Sequence, residues 1–162
     1  MKTLVVYYSR TGNTKFVAEE ITAELGADIE EVVDLKKRGG KMGYLSASRD
    51  ATTNRQTSIA ETKRNPADYE LIVIGTPVWF WSLSSAIRTY VAKHDLSGMN
   101  VALFFTFDGS PRGVVEKTKH LMPNATFMGE LLLAKPAENR DDTKRKIVQW
   151  CATLSNKMKF QS

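Results

Sequence analysis

Short apolar runs alternating with helical stripes constrain this chain more than any other feature. Residues 4–8 (Leu-Val-Val-Tyr-Tyr) are β-branched and aromatic without polar alternation, the pattern of a strand buried on both faces. Val17, Ile21 and Leu25 then recur at i, i+4, i+8, with Gly26 placed to cap a helix. Strand-like runs return at residues 27–34, 69–76 (ended by Pro77), 100–107 and 125–134. Helical faces follow three of them: Leu83, Ala86, Ile87, Tyr90 and Val91; then Val114, Val115, Thr118, Leu121 and Met122 up to Pro123; then Ile147, Cys151, Leu154 and Met158. Five strands alternating with helices through short loops predict an α/β fold, a doubly wound five-stranded parallel sheet with helices on both faces.

At 162 residues the chain is expected to form one domain over residues 1–162, burying ~70% of its unfolded surface. Its 42% hydrophobic and 25% charged residues are those of an ordinary globular protein. A lone Cys151 excludes an intrachain disulfide framework and a multi-cysteine metal site. No apolar run approaches the ~18 residues of a membrane helix, so no membrane partner is expected. The start, Met1-Lys2-Thr3-Leu4, lacks the features of a signal peptide, and a cytoplasmic enzyme or carrier is expected. Residues 35–66 fit no pattern and are long for a bare loop; a helix is expected there, around residues 42–49 or 57–63.

The net charge of +5 is uneven. Residues 36–66 hold eight basic side chains against two acidic ones, a net of +6, while the remainder balances fifteen against sixteen.

In open α/β sheets ligands bind beyond the carboxyl ends of the strands, and three loops fall there. Ser9-Arg10-Thr11-Gly12-Asn13-Thr14 packs three hydroxyls, a glycine and an asparagine against a helix N-terminus. Such a loop offers N–H and O–H donors to an anion, and Gly12 permits close backbone approach. The helix dipole contributes ~0.3–1 kcal/mol, whereas hydrogen bonds to a charged group contribute ~1.5–3 kcal/mol each, so several donors outweigh the dipole. A plain N-cap by Asn13 or Thr14 is the alternative, but a cap needs one side chain. The loop lacks the Gly-Lys-Ser/Thr of a Walker loop and the three glycines of a dinucleotide fingerprint.

The second loop, Gly75-Thr76-Pro77-Val78-Trp79-Phe80-Trp81-Ser82, carries three successive aromatics. They cannot all point inward from a loop, so at least one is expected to face a planar ligand or solvent. The sequence leaves open which of Trp79, Phe80 and Trp81 does so. The third, Thr106-Phe107-Asp108-Gly109-Ser110-Pro111-Arg112-Gly113, reads equally as a plain turn.

Together the three loops resemble the flavodoxin family, and the likeness spans essentially the whole chain. Ser9 to Thr14 is similar to that family's Ser/Thr-x-Thr-Gly-x-Thr phosphate loop, and Gly75 to Trp79 to the loop that lays an aromatic on the isoalloxazine. Thr106 to Gly113 matches the third loop by position and glycine content. The resemblance implies strand order 2-1-3-4-5 and FMN as cofactor. It implies that Ser9, Arg10, Thr11, Gly12, Asn13 and Thr14 surround the phosphate and that Thr76, Pro77 and Val78 line the ribityl chain. Trp79, with Phe80 and Trp81, would flank the ring, and Thr106, Phe107, Asp108, Gly109 and Gly113 would close its pyrimidine end.

Two departures stand out. Flavodoxins are acidic around the flavin, whereas residues 77–86 here hold no charge and Asp108 is the sole acid of the three loops. No glycine follows Trp79, where many flavodoxins use one to turn a peptide toward the ring, which shifts weight toward two-electron chemistry.

Elsewhere the residues read as structural. Cys151 lies in an apolar stripe and is expected to be a core thiol. His94 and His120 are expected near helix ends, where a cation suits the terminal carbonyls. Ser9 has no base partner for acyl transfer, and no catalytic side chain or metal ligand is expected. Lys144-Arg145-Lys146 reads as a solvated helix face.

The expected function is electron transfer through FMN. The alternatives are an FMN-dependent NAD(P)H:quinone-type oxidoreductase and a flavin-free regulatory module on the same fold. The basic segment 36–66 is a candidate dock for an acidic redox partner or an NAD(P)H-dependent reductase. Tyr44 is its one aromatic, which argues against nucleic acid.

Overall fold

Along β1 (Thr3–Tyr7), Leu4 and Val6 leave one face of the strand and Val5 and Tyr7 the other, and all four are buried. Both faces therefore need covering, which is what a doubly wound sheet provides. The structure, a computed structural model, describes residues 1–36 and 56–161, of Gln161 the backbone alone. After β1 come α1 (Asn13–Leu25), β2 (Asp28–Glu31), β3 (Leu71–Trp79), β4 (Ser82–Leu83), α2 (Ser85–Lys93), β5 (Asn100–Phe107), α3 (Val114–Lys119), β6 (Thr126–Ala134) and α4 (Arg140–Gln161).

The strands run in the order β2-β1-β3-β5-β6, all parallel, which is the expected 2-1-3-4-5 once the short arm β4 is set aside. Leu4, Val6, Ile72, Ile74, Leu103 and Phe105 face the helix pair α2 and α3, joining Ile87, Tyr90 and Val114. Val5, Tyr7, Val73 and Phe104 face α1 and α4, joining Val17, Ile21, Ile147, Cys151 and Leu154. Each fully buried aliphatic side chain stabilises the fold by ~1.5–3 kcal/mol. Cys151 is 1% exposed and burial pushes its thiol up to about 12, so it is an unreactive core residue.

The register aligns the ends of the central strands. Tyr7 lies beside Gly75, Gly75 beside Phe104, and Pro77 beside Thr106. Gly75 is required there by space: a Cβ on it would fall 1.9–2.5 Å from three atoms of the Phe104 ring.

Four boundaries differ from the expectation. Residues 57–63 are not helical. Their chain is extended and bridged, Asp34 to Ile59, with Leu35 N donating to Ser58 O at 2.8 Å and Ala60 N to Val33 O at 2.9 Å. Ile59 is 6% exposed, so pairing buries an apolar side chain that a helix would not have brought to the core. The other expected helix, residues 42–49, lies outside the described residues. Pro77 does not end β3: the strand runs on to Trp79 and turns back as antiparallel β4, with Trp79 opposite Ser82. β2 stops at Glu31 instead of residue 34 because Val33 and Asp34 pair with residues 59–60. α3 stops at Lys119, and beyond it Leu121 is 37% exposed while Met122 stays buried.

Candidate functional site

At the carboxyl ends of β1, β3 and β5 the three loops surround a cavity of about 460 Å³, within the ~300–1,000 Å³ of small-molecule sites. Arg10, Thr11, Asn13 and Thr14 line it from the first loop, Pro77, Val78, Trp79, Phe80 and Trp81 from the second, and Thr106 to Ser110 from the third. β1 and β3 are neighbours whose following helices lie on opposite faces of the sheet, so the loops part here and leave a crevice.

The first loop is built for an anion. Gly12 takes φ +96° and caps α1 with no side-chain hydrogen bond, so neither Asn13 nor Thr14 serves as the cap. The first-turn N–H groups of α1 thus keep their donors for a ligand. Ser9 does not line the cavity; its Oγ accepts from Gly12 N at 3.2 Å and holds the loop's shape. Thr14 is 2% exposed, and its Oγ1 meets Thr106 Oγ1 at 2.8 Å, tying the first loop to the third.

The second loop answers which aromatic faces outward. Trp79 is half-buried, edge-on to Tyr8 with ring centroids 5.8 Å apart. Phe80 and Trp81 are each 53% exposed. They form the two-residue turn between Trp79 and Ser82, at φ +48° and +57°. Such a turn normally recruits Asn-Gly, and the left-handed conformation costs an ordinary residue ~1–2 kcal/mol. Lys117 Nζ donates to Trp81 O at 3.1 Å and anchors the turn to α3. Thr76 is 1% exposed and does not line the cavity: its Oγ1 accepts from Ser84 N at 2.9 Å, pinning the hairpin to the start of α2.

In the third loop Phe107, Asp108 and Gly109 reach the cavity. Gly113 does not; it caps α3 at φ +71°. Ser110 lines the cavity although sequence reasoning passed over it, and its hydroxyl within that turn was the available signal. Tyr8, which packs edge-on against Trp79, had no local signal.

A second cavity of about 460 Å³ lies at the opposite end of the sheet, between His94, Leu96, Leu121 and Met122. His94 Nε2 is 3.2 Å from Thr62 Oγ1, and burial lowers its pKa, which disfavours the cation expected at the end of α2. His120 Nδ1 is 2.7 Å from Glu116 O at the end of α3. Lys144 pairs with Glu20 at 2.9 Å and Lys146 with Asp142 at 2.7 Å, on an exposed face.

A planar group bearing a phosphoryl ester fits these residues: free helix N–H groups and hydroxyls at one end, rings along the wall. The family model of flavodoxin matches residues 2–154. A flavoprotein from Lactobacillus acidophilus, solved in complex with FMN, is similar at 26% identity and TM-score 0.71, over 85% of this chain and 96% of that one. A candidate flavoprotein from Bacteroides eggerthii reaches TM-score 0.75 at 23% identity, covering 95% and 98%. Flavodoxin 2 of Bacillus cereus shares the fold at 18% identity and TM-score 0.63, covering 97% and 99%.

Proposed function

We propose that this chain, which belongs to the flavodoxin family, is an FMN-binding electron carrier. FMN is its cofactor, and supplies reversible uptake of electrons. The observation that carries the reading is the convergence of the three loops on one cavity with a donor-rich end and an aromatic wall. The N–H groups at the start of α1, with Thr11, Asn13 and Thr14, would hold the phosphate. Pro77 and Val78 would line the ribityl chain, and Trp79, braced by Tyr8, would orient the ring. Phe80 and Trp81 line the cavity yet stay half-exposed, within reach of a partner protein.

A second reading, an FMN-dependent NAD(P)H:quinone-type oxidoreductase, is favoured by the Phe80–Trp81 turn. Its backbone is pinned by Lys117 and has no glycine whose peptide could turn toward the ring. An anaerobic reductive titration followed by absorbance tests both. One-electron steps and reduction only through a partner reductase support the carrier; steady NAD(P)H oxidation with a quinone and no other protein supports the enzyme. A purified protein without bound flavin would support the flavin-free module instead.

The basic segment 36–66 is the proposed dock for an acidic redox partner or an NAD(P)H-dependent reductase. Lys36, Lys37 and Arg38, three successive bases of that segment, are the residues to neutralise together. Loss of salt-dependent reduction rates in that triple variant is the expected result. Among the described residues no helix is long and apolar enough to cross a membrane.

A further inference from the structure

Arg88 lies mid-way along α2 and is only 8% exposed. Its Nη2 donates to Ser82 Oγ at 3.0 Å, while its Nε is buried without a partner. Among the described residues no carboxylate forms an ion pair with it. Burial lowers the pKa of its guanidinium from the ordinary arginine value. Side chains on a helix lean toward its N-terminus, and the bond to Ser82 places the Arg88 head at the start of α2, the positive end of the dipole. There Ser85, 1% exposed, also leaves its Oγ unpartnered. A cation is thus held nearly dry beside a positive helix end, with no ion-paired carboxylate among the described residues, an arrangement that costs stability.

The place of Arg88 says what it serves. Ser82 pairs with Trp79 across the β3–β4 hairpin, and Trp79, Phe80 and Trp81 form the aromatic wall of the cavity. The guanidinium is therefore one hydrogen bond and one cross-strand pair behind that wall. Arg88 lines neither that cavity nor the one at the far end of the sheet, so a ligand entering from solvent does not reach it through them.

We propose that Arg88 is a positioning residue acting on the flavin's charge: its guanidinium, fixed behind the hairpin, favours the anionic reduced ring over the neutral oxidised one. This rests on the FMN reading above. Oxidised FMN that takes two electrons from a donor and one proton from water becomes a ring with a negative charge at N1. A cation behind the wall therefore binds the product of that reduction more tightly than its starting form. Two unit charges ~10 Å apart at an effective dielectric of ~20 attract enough to shift a ratio of affinities by roughly 15-fold, which sets the scale of the expected effect. That ratio is ~35 mV in a two-electron midpoint potential.

The test compares full-length wild type, Arg88→Gln and Arg88→Lys, each loaded with FMN and reduced with dithionite against an indicator dye. Arg88→Gln is expected to lower the midpoint by ~35 mV, with oxidised-FMN affinity within about threefold of wild type, and to raise the melting temperature of the apoprotein. Arg88→Lys is expected to keep most of the wild-type potential. Equal potentials in wild type and Arg88→Gln would overturn the proposal. So would a lysine variant as low as the glutamine one, or a glutamine variant that is less stable or fails to fold, since the residue would then serve the fold. Stabilisation of the wild-type holoprotein by inorganic phosphate, lost in Arg88→Gln, would also overturn it and assign the guanidinium to an external oxyanion. A wild type that retains no FMN would instead sink the functional reading itself.

Discussion

The hydroxyls of Thr14 and Thr106, 92 residues apart, meet at 2.8 Å inside the protein and join the first loop to the third. Thr14 is 2% exposed and Thr106 3%, so each hydroxyl has the other as its partner in a largely buried place. Thr14→Val leaves the Thr106 hydroxyl orphaned and is expected to cost ~1–3 kcal/mol. Thr14→Val with Thr106→Val removes both groups and is expected to cost less than the sum of the two single changes. Urea unfolding of the apoprotein in a double-mutant cycle measures this; strict additivity would mean that the bond does not couple the loops.

Gly75 and Phe104 form a second obligatory pair. A methyl on Gly75 would enter the Phe104 ring at 1.9 Å, inside a sheet with no room to yield. Gly75→Ala is expected to destabilise by ~1–3 kcal/mol or more. Adding Phe104→Leu should recover part of that loss, although Phe104→Leu alone destabilises. Midpoints of urea unfolding for the four proteins decide it.

The phosphate end can be separated from the ring end by ligand choice. Thr11→Val with Thr14→Val removes two hydroxyl donors beside the first turn of α1, each worth ~1.5–3 kcal/mol toward a charged group. FMN affinity is expected to fall by about a hundredfold or more, while riboflavin, which lacks the phosphate, changes far less. Fluorescence titration with both flavins reads the ratio directly; parallel losses would place the phosphate elsewhere.

How much of this was legible in the sequence follows the range of the interactions. The runs around Val5, Val73 and Leu103 and the stripe Ile147-Cys151-Leu154 declare themselves because apolar spacing is local. The loop at Gly12 shows itself for the same reason. Residues 57–63 misled because their extended form depends on pairing Ile59 with Asp34, a contact that no local propensity encodes. β4 was missed because Phe80-Trp81 lacks the Asn-Gly signature of its turn. Thr76 is bound up with Ser84, eight residues on, and does not line the cavity, a partnership the local sequence does not announce. Arg88 lies on α2 opposite its apolar stripe, so periodicity alone would expose it.

Acid is expected to weaken the fold through His94. Burial, aided by Lys93 and opposed by Glu30, lowers its pKa below the usual 6.5. Between the two values the unfolded chain binds more protons than the folded one, so stability rises with pH there. The contribution is complete above about pH 7 and is lost as pH falls through the folded value. His94→Gln should flatten the dependence of the urea midpoint on pH in this window; an unchanged slope would assign the acid sensitivity to other groups.

The strained turn predicts a trade between stability and function. Phe80 and Trp81 hold positive φ although neither is glycine or asparagine, and both are half-exposed at the cavity mouth. The burial and bonding of the turn do not account for those residue types, since the Lys117 bond goes to a backbone carbonyl that any residue would supply. Phe80→Asn with Trp81→Gly supplies the residues such a turn prefers, and is expected to stabilise the apoprotein by ~1–2 kcal/mol, because the relief of backbone strain is partly offset by the loss of half-buried rings. The same change strips the aromatic rim from the flavin site, so the rate of electron delivery to a protein or quinone acceptor should fall at least several-fold. Thermal melts and stopped-flow reoxidation of the reduced holoprotein measure the two arms. A variant that becomes more stable and transfers electrons as fast as wild type would show that the rim has no part in the transfer.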